Sequence, residues 1–205
     1  MPKLYPRNDA TNKYQINEVI KKRWSPVAFS SEPIEPDKIN SLFEAMRWAP
    51  SSRNEQPWRI IYATKGEPKD YERLASLLNE DNGYAKDAYF LGVICALKHH
   101  IYKNKPNRTY LYDTGAAAEN LFLQAVSMGL AAHEMGGFDQ EGVYEKLGIP
   151  EDEVYAVAMI AVGYPGDESK LSEELKKKQN KIRERKPIAE IAMRGKWRNS
   201  PYLDI

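Results

Sequence analysis

Three short segments of this sequence concentrate side chains that bind anions or planar polar ligands. The densest is Ala49-Pro-Ser-Ser-Arg-Asn-Glu-Gln-Pro-Trp58, which places two hydroxyls and two carboxamides between prolines. Because a carboxamide both donates and accepts hydrogen bonds, this set suits a planar heterocycle whose edge alternates acceptors and donors. The prolines restrict the loop, so that a ligand would meet a partly ordered site. The alternative, a polar loop that Trp58 anchors to the core, leaves this hydrogen-bonding capacity unexplained.

The second segment, Lys21-Lys-Arg-Trp-Ser-Pro-Val27, combines a guanidinium, a hydroxyl and free amides at a helix end. Arginine presents a planar fork of donors that matches a phosphate. The third segment, His133-Glu-Met-Gly-Gly-Phe-Asp139, has adjacent glycines, which allow unusual backbone angles and let a ligand lie against bare main chain. A backbone N–H there could bind a ring nitrogen. Taken alone, each of these two segments is better explained as an ordinary turn.

Hydrophobic spacing predicts the elements that would position these segments. A helix ends near Arg23, and a second helix begins at Pro36 and is stopped by Pro50. The face Gly115-Ala-Ala-Ala118 lacks bulk, which suits a tightly packed central helix or a contact between subunits. Further helices are predicted at 69–79, 113–128 and 140–147, and strands at 59–64, 89–97 and 154–162.

The bulk composition limits the classes of function. The 205 residues fit one domain, 1–205, and 30 basic against 29 acidic residues argue against a nucleic acid or a membrane as partner. Residues 170–186 hold eight Lys or Arg and three Glu, a pattern usual for a solvated helix face. Cys95 lies in an apolar run and is interpreted as a core residue. We expect a cytoplasmic protein, because the sequence has neither a signal peptide nor an apolar span, and we expect no metal site.

Together the three segments resemble the FMN-dependent nitroreductases, and the resemblance runs from Arg23 to Trp197. The family hallmark Ala-Pro-Ser-Ser-x-Asn-x-Gln-Pro-Trp appears intact at 49–58. The opening Arg23-Trp-Ser25-Pro-Val27 resembles the family's first motif and, within the family, an Arg-Trp-Ser-Pro subgroup. Asp113–Leu121 resembles its central helix. Arg183-Glu-Arg185-Lys-Pro187 resembles its terminal phosphate-binding motif.

The resemblance implies an α+β fold with a mixed sheet flanked by helices, in an intertwined homodimer that holds two FMN molecules at its interface. A C-terminal extension, about 167–205, would wrap the partner subunit. NADH or NADPH would transfer hydride to the FMN, and a small electron-poor acceptor such as a nitroaromatic or quinone would then take its place in the pocket. The flavin carries this chemistry, so no catalytic side chain is expected.

The resemblance also assigns residues to the cofactor. Arg23, Ser25 and Arg185 would hold the phosphate, with Arg183 and the backbone of Trp24 beside them. Residues of the hallmark loop would approach the flavin from the other subunit, namely Pro50, Ser51, Ser52, Asn54 and Gln56. Met135, Gly136 and Gly137 would present a backbone amide to the edge of the ring.

Residue 27 departs from the family pattern. Val27 stands where the family usually places Arg or Lys, near the pyrimidine edge of the flavin. A cation there would stabilise the negative charge that develops on the reduced ring, and valine cannot do so. Our hypothesis is that either Arg53 or Lys22 replaces the cation, or the flavin has a lower reduction potential and slower turnover.

Three alternatives stay open at the level of sequence. The chain could bind FMN without turnover, for storage or sensing, or could be a flavoenzyme of the same fold with another acceptor, such as a dehalogenase or dehydrogenase. A phosphate- or nucleic-acid-binding module on residues 170–186 is disfavoured by the near-neutral charge of the chain. A substrate lid is expected in 79–88 and 99–112.

Overall fold

A computed structural model describes residues 8–102 and 104–197 of the chain, and in them the strands form a five-stranded sheet. The strand order is β1-β5-β3-β2, with β4 also paired to β5, and each of these pairings is antiparallel. The strands are β1 Phe29–Ser30, β2 Trp58–Thr64, β3 Phe90–Leu97, β4 Ala131–Met135 and β5 Val154–Pro165. The predicted α+β class is confirmed.

Helices cover both faces of this sheet in the described ranges. They are α1 Glu18–Lys22, α2 Pro36–Arg47, α3 Pro68–Ala75, α4 Tyr110–Ser127, α5 Gln140–Leu147, α6 Glu173–Gln179 and α7 Ile188–Ile191. Three 3-10 segments, Ser52–Asn54, Glu80–Asp87 and Glu168–Lys170, lie between them in the described ranges. The helix predicted from Asp113 begins at Tyr110, and the strand predicted to Val162 continues to Pro165.

Strand β4 is not predicted from the sequence, which favours a turn at 133–139. Its sequence, Ala-Ala-His-Glu-Met, carries little β propensity. Pairing with β5 from Ala131 opposite Gly163 to Met135 opposite Met159 supplies the missing stabilisation. The loop therefore shortens to the glycine pair that follows.

The alternation of side chains in β3 divides the core into two layers. Leu91 and Val93 face the layer that contains residues of α3 and α5, whereas Phe90 and Ile94 face the layer of α2 and α4. Cys95 lies in the first layer, and burial raises the pKa of its thiol to about 12. Its predicted role as a core residue is confirmed.

The central helix α4 is held against α2. Ala117 and Ala118 are buried, and Asn120 Nδ2 donates to the carbonyl of Ala45 at 3.1 Å. Gly115 stays on the surface, where an added Cβ would meet nothing within 4 Å. Within the described ranges, no helix is both long and apolar enough to cross a bilayer.

Candidate functional site

Arg23, Ser25 and Arg185 are separated in sequence but line one cavity of about 520 Å³, called here the Arg23 cavity. Helix α1 ends at Lys22 and Arg23 takes an extended conformation, which turns its side chain toward Ser25, 3.5 Å from Nη1 to Oγ. The lining residues are Ala10, Ile16, Ile20, Arg23, Ser25, Glu119, Phe122, Ala132, Glu134, Arg183 and Arg185. Three of the residues predicted to hold a phosphate therefore converge.

A second cavity of about 330 Å³ adjoins the first along the same arginines. It shares Arg23, Ser25 and Arg185 with the Arg23 cavity and adds Lys178 and Lys181 from the end of α6 and the segment after it. A concave surface lined by so many cations favours an anion. Part of the basic run 170–186 therefore borders a cavity rather than forming a solvated face alone.

Arg183 has a different role from Arg185, although both line the Arg23 cavity. Its Nη1 donates to the carbonyl of Asn8 at 2.7 Å and to that of Lys21 at 2.9 Å. These bonds tie the N-terminal segment and the end of α1 to the C-terminal segment. The side chain of Arg185 is exposed and donates to the adjacent Glu184 carbonyl at 2.7 Å. Of the two, Arg185 is the better placed to meet a ligand.

Val27 does not line the Arg23 cavity, and its assignment as a cofactor-contact residue stays a prediction. Its side chain is 1% exposed and packs in the core. Its N–H and that of Ala28 donate to Gln179 Oε1 at 2.8 and 3.3 Å. Sequence reasoning missed Gln179, because a glutamine inside a basic run gives no sign that it satisfies buried amides. Of the two cations suggested as substitutes, Arg53 and Lys22, neither lines the cavity.

Trp24 borders the second cavity while most of its side chain is buried. It is 6% exposed, and its Nε1 is buried without a hydrogen-bond partner. Its backbone lies between Arg23 and Ser25, as the sequence predicted. The ring thus packs against protein and fixes the direction of the two residues beside it.

The hallmark loop has a strained backbone. Arg53, Asn54 and Gln56 adopt φ values of 55°, 59° and 50°, in the left-handed region that non-glycine residues seldom occupy. Such conformations cost of the order of 1 kcal/mol each and concentrate where ligands bind. The loop therefore holds a shape that its own residues do not prefer.

Hydrogen bonds from outside the loop maintain that shape. Asp113 Oδ2 accepts from the N–H of Ser52 at 3.1 Å and from the hydroxyl of Thr109 at 2.9 Å. Within the loop, Ser51 Oγ accepts from the N–H of Gln56 at 3.0 Å. Sequence reasoning placed Asp113 on the central helix without this role, and an acidic residue in the first turn was its one signal.

The hallmark loop and the Arg23 cavity belong to different parts of the single chain. No residue of 50–57 is among those that line the cavity. Asp113, which anchors the loop, and Glu119, which lines the cavity, are six positions apart on α4. That spacing corresponds to about 9 Å along the axis and about 240° around it, so the two residues face different directions.

The glycine pair after β4 is held by the segment that sequence analysis took for a lid. Asn82 Nδ2 donates to the carbonyl of Gly137 at 2.8 Å, and the N–H of Asp139 donates to the Leu77 carbonyl at 2.8 Å. Ala85 and Ala88 are fully buried. Within 79–88, Tyr84, Ala85 and Ala88 pack into the core, whereas 79–81 and 86–87 are exposed, and a lid in this segment stays a prediction.

The two glycines do not need left-handed backbone angles, which corrects the reason given for them. The positive-φ glycines of the described ranges are Gly129, Gly148 and Gly195. A Cβ at Gly137 would lie 3.1 Å from Asn79 Nδ2, whereas one at Gly136 would meet nothing within 4 Å. Gly137 is therefore required by close packing, and the space beside Gly136 is open.

His133 connects the phosphate-side segment to this loop. Its Nδ1 lies 2.8 Å from the carbonyl of Pro26, and its Nε2 lies 3.1 Å from the hydroxyl of Tyr84. Burial, together with the smaller effects of the charges on Lys178 and Arg23, lowers the pKa of His133 to about 4, although the hydrogen bond to the Pro26 carbonyl opposes this shift. The ring is therefore neutral near pH 7, so that Nδ1–H donates to Pro26 and Nε2 accepts from Tyr84.

The other segment expected as a lid, 99–112, divides into two parts. From Tyr110 onward it belongs to α4. Before that, a hairpin bridged between His99 and Pro106 contacts the hallmark loop, since the N–H of Ile101 donates to Glu55 Oε2 at 3.1 Å. Ile101 is 71% exposed at the hairpin.

Two carboxylates, Glu119 and Glu134, also line the Arg23 cavity, and sequence reasoning missed both. Glu119 Oε1 lies 3.8 Å from Arg23 Nε. Burial raises the pKa of both carboxyls, and the nearby Glu119 raises that of Glu134 further. Across 8–102 and 104–197, no three His, Cys, Asp or Glu residues are grouped so as to hold a metal ion.

Comparison with known proteins decides the family. The sequence profile of the nitroreductase family matches residues 20–91 and 79–164. The chain belongs to the nitroreductase family. A crystal structure described as an oxidoreductase containing FMN is similar to this nitroreductase-family chain, with 34% identity, a TM-score of 0.88, and coverage of 95% of this chain and 99% of that one.

Curated relatives agree with this assignment. A protein of Streptomyces coelicolor named as a candidate NADH dehydrogenase/NAD(P)H nitroreductase is 26% identical over 158 residues, which cover 67% of this chain and 77% of that protein. A protein of the same name from Archaeoglobus fulgidus is 29% identical over 165 residues, covering 74% and 86%. The predicted family and fold are confirmed, while the Arg-Trp-Ser-Pro subgroup stays a prediction.

Proposed function

We propose that this nitroreductase-family chain binds FMN and uses it to pass electrons from NADH or NADPH to an electron-poor organic acceptor, such as a nitroaromatic or a quinone. The observation that carries the proposal is the convergence of Arg23, Ser25 and Arg185 on one cavity. Two guanidinium groups and a hydroxyl form a donor set suited to a phosphate monoester.

The cavity also fits the remainder of the cofactor. Its volume of about 520 Å³ is within the range of small-molecule sites. Apolar side chains of Ile16, Ile20 and Phe122 line it together with the polar groups, which suits a ligand that carries a phosphate at one end and an aromatic ring at the other. The names of the FMN-containing structure and of the NAD(P)H nitroreductases support the same cofactors.

FMN, when bound, supplies the electron transfer, and the residues of the chain bind and orient it. Arg23, Ser25 and Arg185 fix the phosphate. The backbone amides after Met135, with open space beside Gly136, orient the edge of the ring. The chain contributes no general acid to this proposal, in agreement with the expectation that the flavin carries the chemistry.

We further propose that the site is completed in a homodimer. The hallmark loop does not line the Arg23 cavity of its own chain, so that in a symmetric pair the loop of one subunit could complete the cavity of the other. The C-terminal extension also exposes large apolar side chains, which a wrapped partner would cover. These residues are Ile182, Ile188, Ile191 and Trp197. The residues of the extension beyond 197 lie outside the described ranges.

The test of the proposed function is spectroscopic. Purified protein should carry a flavin absorbance band, and addition of NADH or NADPH without oxygen should bleach it. A quinone or nitroaromatic should then restore the band. A flavin band that neither nucleotide bleaches would favour the storage or sensing alternative. Protein that is colourless and takes up no added FMN would overturn the proposal.

A further inference from the structure

The Arg23 cavity contains carboxylates as well as arginines, and one of the carboxylates lies beside Arg23, to which we assign the phosphate. Glu119 comes from α4 and Glu134 from β4, and both line the cavity with the arginines. Glu119 Oε1 lies 3.8 Å from Arg23 Nε, with 51% of the Glu119 side chain and 20% of the Arg23 side chain exposed. Glu119 is thus the carboxylate in contact with the guanidinium that the proposed function assigns to phosphate.

The carboxylates reduce the positive charge that the cavity offers to a ligand. Of its three arginines, Arg183 already donates to the carbonyls of Asn8 and Lys21. Arg183 keeps its charge in these bonds, so the cavity lining holds three guanidinium groups and the two carboxylates of Glu119 and Glu134. Lys178 and Lys181 line the adjoining cavity and not this one.

Several charged groups at the neighbouring helices are paired with one another. On α1, Lys21 lies 4.0 Å from Glu18. At α2, Lys38 pairs with Glu35 at 3.0 Å and Arg47 with Glu44 at 2.6 Å. The charges that Glu119 faces are therefore those of the cavity, with Arg23 as its contact.

We propose that Glu119 competes with the FMN phosphate for Arg23 and thereby sets the affinity of this chain for the phosphorylated cofactor. The proposal rests on the function proposed above. When phosphate takes the guanidinium, the Glu119 carboxylate loses its counter-ion and is left beside a second anion. Both effects favour the protonated carboxyl, so that FMN binding takes up a proton. By linkage, the competition is strongest when Glu119 is ionised and disappears as the pH falls through its raised pKa.

The experiment compares wild type with Glu119→Gln, using full-length protein stripped of flavin and titrated with FMN or with riboflavin. The substitution keeps the size of the side chain and removes its charge. At pH 8 we expect FMN to bind about fivefold more tightly to the variant, the range of a partly exposed ion pair. Riboflavin, which lacks the phosphate, should bind both proteins equally. The ratio of the two FMN affinities should fall toward one as the pH is lowered from 8, and taking this ratio cancels the titration of the phosphate itself.

Two further variants make the result specific. Glu141→Gln on the exposed face of α5 makes the same change in net charge and should leave FMN affinity unchanged. In an Arg23→Gln background, Glu119→Gln should have little remaining effect, because the contested guanidinium is gone. Circular dichroism would verify that each variant is folded.

Each other outcome overturns the inference in a recognisable way. Weaker binding of both FMN and riboflavin by Glu119→Gln would mean that the carboxylate accepts hydrogen bonds from the ribityl hydroxyls. Unchanged FMN affinity would mean that Glu119 does not compete, while FMN binding as the proposed function requires would stand. If wild type binds neither flavin, the proposed function itself fails together with this inference.

Discussion

At the scale of single residues, two arginines that are close in sequence make different contacts. Arg183 and Arg185 belong to the same basic motif, and their residue type and spacing alone do not show how their contacts differ. The structure does, because Arg183 donates to two backbone carbonyls whereas Arg185 is exposed beside the cavity. Arg183 therefore stabilises the contact of its own segment with Asn8 and Lys21, and Arg185 is available to a ligand.

Substitution of each arginine by methionine should distinguish its effect on stability from its effect on FMN binding. Methionine keeps most of the length of arginine and removes its donors. Arg183→Met should lower the free energy of unfolding by about 1–2 kcal/mol, since two carbonyls lose a charged donor. Arg185→Met should leave stability nearly unchanged and weaken FMN binding about tenfold. Urea unfolding and FMN titration measure the two effects; equal losses of stability in both variants would contradict this division.

His133 should make stability depend on pH in a defined window. Its pKa is about 4 in the folded chain and near 6.5 when unfolded, so the unfolded state binds more protons between these values. The contribution is present in full above pH 6.5 and is lost as the pH falls toward 4, by about 3 kcal/mol.

A matched variant isolates this contribution from the carboxylates that titrate in the same range. His133→Gln keeps a donor for the Pro26 carbonyl and removes the titrating ring. Urea unfolding between pH 4.5 and 7 should show a shallower fall in stability for the variant than for wild type. Parallel curves would show that His133 is not held neutral in the folded chain.

At the scale of elements, the loop after β4 depends on a segment distant in sequence. The 3-10 segment Glu80–Asp87 packs below the glycine pair, and Asn82 fixes the Gly137 carbonyl. His133 joins the same region to Pro26 through its hydrogen bond. The loop that would face the flavin is thus supported by buried structure, although its glycines are flexible in isolation.

The two glycines of this loop should respond differently to alanine. At Gly137 a Cβ would lie 3.1 Å from Asn79 Nδ2 and 3.2 Å from Asn82 Nδ2, so Asn82 must move and weaken its bond. Gly137→Ala should therefore cost about 1 kcal/mol of unfolding free energy. Gly136→Ala meets nothing within 4 Å and should be neutral or slightly stabilising. A larger loss of stability in Gly136→Ala would contradict the packing described here.

At the scale of the whole molecule, the flavin site that we propose requires two copies of the chain. The Arg23 cavity and the hallmark loop are both well defined within one chain, yet they face different directions along α4. A symmetric dimer would bring the loop of each subunit to the cavity of the other. A substitution in the cavity of one subunit or in the loop of the other should therefore each weaken FMN binding at such a site.

Complementation between two defective variants tests this arrangement. Arg185→Met damages the cavity side, and Asn54→Ala, in the hallmark loop, damages the other side. Each alone should bind FMN weakly. After unfolding and refolding an equal mixture, half of the dimers should be mixed, each with one intact site, so that about a quarter of all sites regain wild-type affinity. Mixing that is verified by mass but restores no FMN binding would contradict a shared site.

Several properties of the chain were predictable from local pattern. The apolar runs at β3 and β5, the helical spacing before Pro50 and the hallmark 49–58 each depend on residues close in sequence. Periodicity reports which elements form, because burial of one face repeats with the geometry of a helix or strand. The hallmark carried the resemblance to the nitroreductase family, that resemblance implied the α+β class, and both are confirmed.

Other properties depend on contacts between residues that are distant in sequence, and local sequence patterns do not predict those contacts. Val27 was expected beside the flavin, but Gln179, 152 positions later, accepts its N–H and leaves the valine in the core. Residues 79–88 are polar enough for an exposed lid, yet long-range packing buries Tyr84, Ala85 and Ala88 among them. The meeting of Glu119 with Arg23 follows from the packing of α4 against α1. Burial and charge pairing are set by long-range contacts, so the sequence indicated Arg23, Ser25 and Arg185 as candidates for a phosphate site, and only the fold showed that Glu119 lies beside Arg23.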